Sequence, residues 1–592
     1  MLTSSDPIPA SGAAPDVPRK GPRADTLPAL LENWATNRGD RIALTHLDHR
    51  TGPEEHAVSL TWSELDQRAR ETATWLRHRV EPGGRVALLA THGADYVIGF
   101  LATLHAGLVA VPLFAPSTPA HGDRLHAILA DAHVSVALTT RAKQPKVQAA
   151  LQHLASPRPQ VVAVEATRAD PEPLPLPDPE DLAYLQYTSG STRSPAGVMI
   201  THGNVVACAR QAAVSYGVLP GRSVTVSWLP LFHDMGLMLG VLAPCVLGIR
   251  SVLLDPVAFM ERPARWLRAL SRFPGAISAA PSFAYGYAAG RVTERERSEL
   301  RLDKVGALID GGEPVRPELF ARFRERFAGC GLPALAHCPS YGLAESTVLV
   351  AGVPAGAAAV STTFYREQLA RGEAVPADPG EPSTVTLTSC GWPAGQEVRI
   401  VHPATGAELP DGRIGEIWVS GPNIGRGYWQ QPALSAATFC ALLAGDEQPR
   451  WWLRTGDLGV RFDGRLYVTG RLKDLVVVDG RNHYPADVEV TVEGAHPAIR
   501  PHVVAVFTVP DSHGNEVVVL AERSSWVIEC ELDAEEVTGA IRRSVAREHG
   551  LPLHDVLLLG PDEVPRTTSG KVARAACRER YLAGGFAGSR AS

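Results

Sequence analysis

The chain has 592 residues, too many for one compact hydrophobic core, so two or more domains are expected. Its 45% hydrophobic and 20% charged content is that of an ordinary globular protein, and a formal net charge of -6 over this length argues against a nucleic-acid or anionic-membrane partner. The eight cysteines are scattered without any Cys-x-x-Cys pair, which argues against a thiolate metal site and reads as reduced, mostly buried thiols.

Residues 1–26 are rich in Pro, Ser and Ala and contain no apolar stretch, so they read as a disordered lead-in rather than a signal peptide. Tyr96 to Leu113 imitates a membrane span, with His105 its only charge-bearing residue. Gly99, Gly107 and Pro112 break it, however, and it follows the strand-like run from Val86 to Leu89, so a buried helix leading into a buried strand is predicted. A cytoplasmic protein with no integral membrane segment is expected.

From residue 27 to 471, short apolar runs alternate with helix-period segments, the pattern of parallel α/β architecture. Leu182 to Tyr187 reads as a strand running into a Gly/Ser/Thr loop. Val305 to Ile309 reads as a second strand, ending at the turn Asp310-Gly311-Gly312. Beyond that turn, Pro317 suits a first helical turn, and Leu319, Phe323 and Phe327 mark one helical face. Past residue 471 the character changes. β-branched runs at Leu475 to Val478, Val503 to Val509 and Val517 to Leu520, then an amphipathic pattern near Glu535 to His549, predict a small α+β domain over 472–592. The fold class is therefore α/β, a large N-terminal domain with parallel sheets plus a small C-terminal α+β domain.

Four motifs carry candidate chemistry. Tyr187 to Val198 is dense in hydroxyls and glycine, a loop suited to presenting donors to anionic oxygens, although no Walker sequence occurs. Cys338 to Ser346 sets Tyr341 beside Gly342, a flat face for a purine, with Glu345 available to a divalent cation. Trp452 to Leu458 offers Asp457 after a tight Thr-Gly turn, suited to ribose hydroxyls, and Gly470 to Asp474 follows it. Pro565 to Lys571 ends in a lysine behind a Gly/Ser/Thr turn, a movable point charge. Alone, the first three also read as a surface turn, a capping glutamate and a hairpin aspartate, and the fourth reads first as a solvated surface lysine.

In this order over roughly 380 residues, the four together resemble the adenylate-forming superfamily, which includes acyl-CoA synthetases, amino-acid adenylation domains and luciferase-like enzymes. The resemblance covers nearly the whole chain after residue 27. Within it, Thr188 to His202, Pro230 to Leu237 and Lys473 to Pro485 look most like the fatty acyl-AMP ligases. Amino-acid adenylation domains usually place an aspartate directly after the phenylalanine, where this chain reads Phe232-His233-Asp234-Met235.

The resemblance implies ATP and Mg²⁺ as cofactors, a fatty acid as substrate, and an acyl carrier protein as acceptor through its phosphopantetheine thiol. Thr188, Ser189, Gly190, Ser191 and Thr192 would embrace the phosphates, with Thr188 and Glu345 near the metal. Gly311, Gly312 and Glu313 would border the adenine, and Tyr341, beside Gly342, would stack on it. Asp457 and Arg471 would hold the ribose, and His233 would stand at the mouth of the acyl pocket. Lys473 would be the hinge of a mobile C-terminal domain that brings in catalytic Lys571. One departure stands out: many relatives carry a lysine after the proline of the phosphate loop, where this chain has Ala196, with Arg193 nearby as the candidate replacement.

Two other readings stay open, an acyl-CoA synthetase and a degenerate adenylate-binding module. The long Ala-, Gly- and Pro-rich connection between Glu345 and Cys390, with a helix-like piece from Phe364 to Gly372, favours the ligase. Acyl-AMP ligases carry an insertion there that packs against the mobile domain. Acyl chain length is not legible; Phe283, Tyr285 and Tyr287 are candidates for the pocket wall.

Overall fold

Local capping shows why the helices start where they do. Thr61 accepts a hydrogen bond from the Glu64 amide while Glu64 accepts one from the Thr61 amide at 2.8 Å, opening the helix Trp62–Arg77. Thr201 and Asn204 do the same for His202–Ser215. The computed structural model describes residues 25–49, 56–114, 119–154, 158–187, 195–378, 380–478, 480–511, 514–527, 532–567 and 570–586.

Two sheets build most of the large domain. In the nine-stranded sheet, His337–Tyr341, Ala307–Asp310, Ala276–Ala280, Val224–Ser227, Arg250–Leu254 and Ile42–Asp48 run parallel in that order, with antiparallel strands added at both edges. In the six-stranded sheet, Gln160–Ala163, Val134–Thr139, Arg85–Leu88, Val109–Pro112 and Leu182–Tyr187 are parallel, and Gly197–Thr201 closes the edge antiparallel. The membrane-like stretch is the helix Ala94–His105, buried from Tyr96 onward, and the buried strand Val109–Pro112; burial lowers the His105 pKa to about 3, so it sits neutral in the core. No described helix is long and apolar enough to cross a membrane. The helix Pro317–Phe327 buries Leu319, Phe323 and Phe327 as its spacing predicts.

The parallel pattern stops earlier than expected. Glu397–Val401, Gly415–Ser420, Leu453–Phe462 and Arg465–Arg471 form a four-stranded antiparallel sheet. The last two strands are joined by Asp463-Gly464, both at positive φ (50° and 70°). A two-residue loop of this kind makes a hairpin, whereas parallel neighbours need a long crossover.

The C-terminal domain has its own core. Ile499–Asp511, Gly514–Arg523 and Asp555–Leu559 form a sheet. Val504, Val506, Val517 and Val519 face the helices Pro485–Ala495 and Ala534–His549, while Val503, Ala505, Phe507 and Val518 face Cys577 of Arg574–Leu582. Both faces are covered, so these strands read as unbroken apolar runs.

Candidate functional site

Strand ends converge on one cleft between the two domains, a cavity of about 2100 Å³. His233, Gly311, Gly312, Glu313, Tyr341, Gly342, Glu345, Asp457, Arg471, Lys473 and Lys571 all line it. Thr188, Ser189, Gly190, Ser191 and Thr192, with Arg193, lie outside the described residues; Tyr187 and Ala196, on either side, line the same cavity.

Asp310 ends its strand fully buried, accepting from Ser282 Oγ at 2.7 Å with His337 Nε2 at 3.0 Å, which anchors the start of Gly311-Gly312-Glu313. Gly312 is at φ 80°, a left-handed conformation that side-chain-bearing residues resist. Glu313 accepts from the Phe283 amide at 2.8 Å, and burial pushes its carboxyl above the usual range.

The strand His337–Tyr341 runs into Gly342, where an added Cβ would lie 1.6 Å from the Val348 carbonyl oxygen. Only glycine fits that crossing. Glu345 follows in a single 3₁₀ turn and accepts from the Tyr428 hydroxyl at 2.7 Å. Burial raises its pKa, opposed by the Tyr428 bond and the charge of Arg471.

Asp457 does not follow a tight turn. It lies within the continuous strand Leu453–Phe462, and Thr455-Gly456 is a bulge at which Glu416 to Trp418 spans Leu458 to Arg454. The bulge turns the aspartate inward against its cross-strand partner Arg471, whose Nε is 3.2 Å from Oδ1, while Oδ2 accepts from the Tyr341 hydroxyl at 2.7 Å. Burial raises the Asp457 pKa and the guanidinium opposes it.

Lys571 is also placed differently from a free surface lysine. It is partly buried at the domain junction, and Nζ donates to the Gly312 carbonyl. Burial lowers its pKa while Asp234 and Glu313 hold it up. His233 caps the short helix Asp234–Leu237, with Nδ1 2.6 Å from Asp234 Oδ1. Burial would raise the Asp234 carboxyl, but the His233 contact and Lys571 charge bring it below the usual range. Lys473 lies in the 3₁₀ turn Leu472–Asp474 that joins the last strand of the large domain to Val476–Val478.

Of the pocket-wall candidates, Phe283 and Tyr287 line the cavity. Tyr285 does not: it is fully buried behind the wall, its hydroxyl donating to Ile309 O at 2.8 Å. On a helix one residue faces the ligand and its second neighbour the core, and Tyr285 is on the core side.

The described part of the connection from Glu345 to Cys390 contains regular elements. Ser361–Tyr365 and Thr384–Thr388 pair as a hairpin, and Phe364, read as helical, is strand; the helix is Arg366–Ala370. This unit grips the C-terminal domain. Arg366 holds Asp487 through two bonds of 2.6 and 3.1 Å, and Tyr484 Oη donates to Leu369 O at 3.2 Å. A second fork, Arg316 to Glu493 at 2.6 and 3.1 Å, spans the domains on another line. Both hold the C-terminal domain where Lys571 reaches Gly312.

Sequence reasoning passed over Asp234, Tyr428 and Arg316. Asp234 stands in a quoted motif beside His233 and was recoverable; Tyr428 and Arg316 act on residues 83 and 177 positions away and carry no local signal.

Comparison with known proteins agrees with this geometry. Residues 31–429 match the AMP-binding enzyme family, and residues 473–589 match the AMP domain of Disco-interacting protein 2-like proteins. The chain is 42% identical over 576 residues to the long-chain-fatty-acid–AMP ligase FadD26 of Mycobacterium tuberculosis, covering 95% of this chain and 98% of that protein. A structure from studies of fatty acyl-adenylate ligases of E. coli and L. pneumophila superposes with a TM-score of 0.84 at 31% identity, covering 97% of this chain and all (100%) of that one. The L. pneumophila fatty acyl-adenylate ligase in complex with acyl adenylate and pyrophosphate gives 0.72 at 30% identity over 95% of this chain and 98% of that one. A cleft lined by residues of all four motifs, and likeness along nearly the whole length, lead to one assignment: the chain belongs to the AMP-binding enzyme family, among its fatty acyl-AMP ligases.

Proposed function

We propose that this protein joins a fatty acid to ATP, releasing pyrophosphate, and passes the acyl group of the resulting acyl-AMP to the phosphopantetheine thiol of an acyl carrier protein. The observation that carries the reading is the convergence of Asp457, Arg471, Gly312, Glu345 and Lys571 on one cavity, although they come from both domains. In the first half-reaction a carboxylate oxygen attacks the α-phosphorus, and the bond to the bridging oxygen breaks. Both reactants are anions, so positive charge has to offset their repulsion. Lys571 supplies it from its station at the Gly312 carbonyl; Asp457 and Arg471 receive the ribose hydroxyls; Gly311 to Glu313 and Tyr341 border the adenine; His233 stands where the fatty acid enters. Lys473 is the pivot, with the division between domains at residues 471 and 472.

Mg²⁺ fits the residues present. Glu345 is a partly buried carboxylate whose charged form desolvation disfavours, bonded to a tyrosine hydroxyl, and a divalent cation would favour that charge. Magnesium is commonly held by one or two carboxylates together with substrate phosphates. When bound it would neutralise phosphoryl oxygens and sharpen the electrophilic phosphorus. Thr188 is its second proposed protein contact.

The direct test offers a series of fatty acids with ATP, plus either CoA or a holo-carrier protein, and identifies products by mass spectrometry. Acyl-AMP and acylated carrier are expected. Rapid acyl-CoA synthesis would make the protein an acyl-CoA synthetase, and absence of ATP–pyrophosphate exchange with every acid would make it an adenylate-binding module.

Asp457→Ala tests the ribose contact. Loss of its carboxylate would take one hydrogen-bond partner from the buried Tyr341 hydroxyl and the cross-strand charge from Arg471, a loss of about 1–3 kcal/mol. ATP binding is expected to weaken, and the preference for ATP over deoxy-ATP to narrow, in nucleotide titrations. An unchanged preference would show that the bulge does not face the ribose.

A further inference from the structure

The acyl-binding end of the cleft ends at a partition. Behind the large cavity lies a second, small space of about 30 Å³, between the strands Val224–Ser227 and Ala276–Ala280 and the helical segment that follows His233. Its wall is mostly apolar, with Val226, Ala243, Leu247, Ile277 and Ala279 prominent. Three residues line both spaces: Tyr216, Leu239 and Ile309.

These three differ in their freedom to move. Tyr216 is buried and its hydroxyl donates to Ser340 Oγ at 2.9 Å. Ile309 is a central-strand residue whose carbonyl accepts from Tyr285. Leu239 has no such anchor. It sits in the π-helical turn Met238–Leu242, where the other four residues are buried and Leu239 alone is partly exposed, toward the large cavity. A π turn carries a widened helical backbone, and such turns recur at binding sites. The side walls of the front compartment are fixed by comparison: Trp228 stacks on Phe259 at 3.8 Å, and Tyr287 is tied to the Met260 carbonyl at 2.6 Å.

We infer that Leu239 is the gate at the end of the acyl pocket, and that the space behind it takes the terminal carbons of longer fatty acids when the leucine swings aside. This rests on the fatty acyl-AMP ligase reading and deepens it by assigning chain-length selection to one side chain. An apolar space of about 30 Å³ is on the order of one water molecule's share of liquid volume, so it accepts a chain end only by merging with the volume Leu239 vacates. Each methylene removed from water favours binding by about fourfold.

The experiment measures kcat/KM for saturated straight-chain fatty acids of increasing length, by pyrophosphate release, for the native protein, Leu239→Ala, Leu239→Phe and Leu239→Ala/Ala279→Val. Leu239→Ala is expected to raise the ratio of kcat/KM for acids about two carbons beyond the native optimum, relative to the optimum itself, by about tenfold. Leu239→Phe, which fills rather than empties the site, is expected to cut the longest acids selectively. Ala279 touches only the rear space. Adding Ala279→Val to Leu239→Ala is therefore expected to remove the gain. Should Leu239→Ala lower the melting temperature enough to obscure its kinetics, the Leu239→Phe profile decides in its place. A length profile unchanged from native in the folded variants overturns the gate. Failure of the native protein to release pyrophosphate with any fatty acid overturns the ligase reading itself, so the two failures are distinct.

Discussion

Replacing Lys571 by alanine is expected to slow acyl-adenylate formation by two to three decades, the loss of about 3–4 kcal/mol that follows removal of one preorganised contact to developing charge. Three features make the effect large. Nζ is held at the Gly312 carbonyl, inside the cleft that contains the other motif residues. Asp234 and Glu313 oppose the loss of charge that burial of the ammonium favours. No other described lysine or arginine donates to that carbonyl. The C-terminal domain should remain folded and docked, since Arg316–Glu493 and Arg366–Asp487 do not involve Lys571. Single-turnover formation of acyl-AMP is the measurement for the first half-reaction. Transfer to carrier from preformed acyl-AMP should be far less affected, because the α-phosphate is no longer attacked in that step. Equal rates for Lys571→Ala and native protein in the first half-reaction would remove the lysine from the mechanism.

The second large effect concerns the acceptor. One active site serving two half-reactions requires the C-terminal domain to turn about its hinge, and hinges confine the backbone change to a few residues. Here the hairpin and helix of Ser361 to Thr388 hold that domain through Arg366 and Leu369, and Arg316 holds it from a second side. Removing one partner of a charged, part-buried fork costs about 2 kcal/mol, which shifts a two-state balance roughly thirtyfold. Arg366→Ala, or shortening the connection within Gly356 to Gly380, is therefore expected to raise acyl-CoA output from a trace by at least about tenfold. Adenylation should persist, since its residues lie elsewhere. Native protein should give efficient acyl-AMP, little acyl-CoA and transfer to a holo-carrier, whose docking contacts favour the turned state. Product analysis with CoA as sole acceptor decides the matter: no gain in acyl-CoA for either variant would mean that this grip does not restrict the acceptor.

What was legible in the sequence was local. Hydrophobic period and turn residues over about ten positions define a strand or helix. That is why the strand Leu182–Tyr187, the buried helix and strand after Ala94, the Pro317 helix face and the C-terminal β-branched runs were readable. Motif residues were readable for the same reason, as small clusters at strand ends where backbone ends its pairing and ligands approach. Even the antiparallel turn of the large domain was written in Asp463-Gly464, though alternation alone suggested otherwise.

Tertiary structure decided whatever depends on groups far apart in the chain. Asp457 points inward because a bulge sets it against Arg471 and Tyr341, and Lys571 is enclosed because the C-terminal domain docks over Gly312. Tyr285 faces the core because of its register on a helix whose docking no local pattern states. The connection after Glu345 looked structureless because Gly, Pro and Ala conceal short strands that persist only by pairing with each other and packing Phe364 and Leu369 against Tyr484. The partition at Leu239 belongs to this class as well. A cavity is what packing leaves empty between elements distant in sequence, so no residue pattern records it.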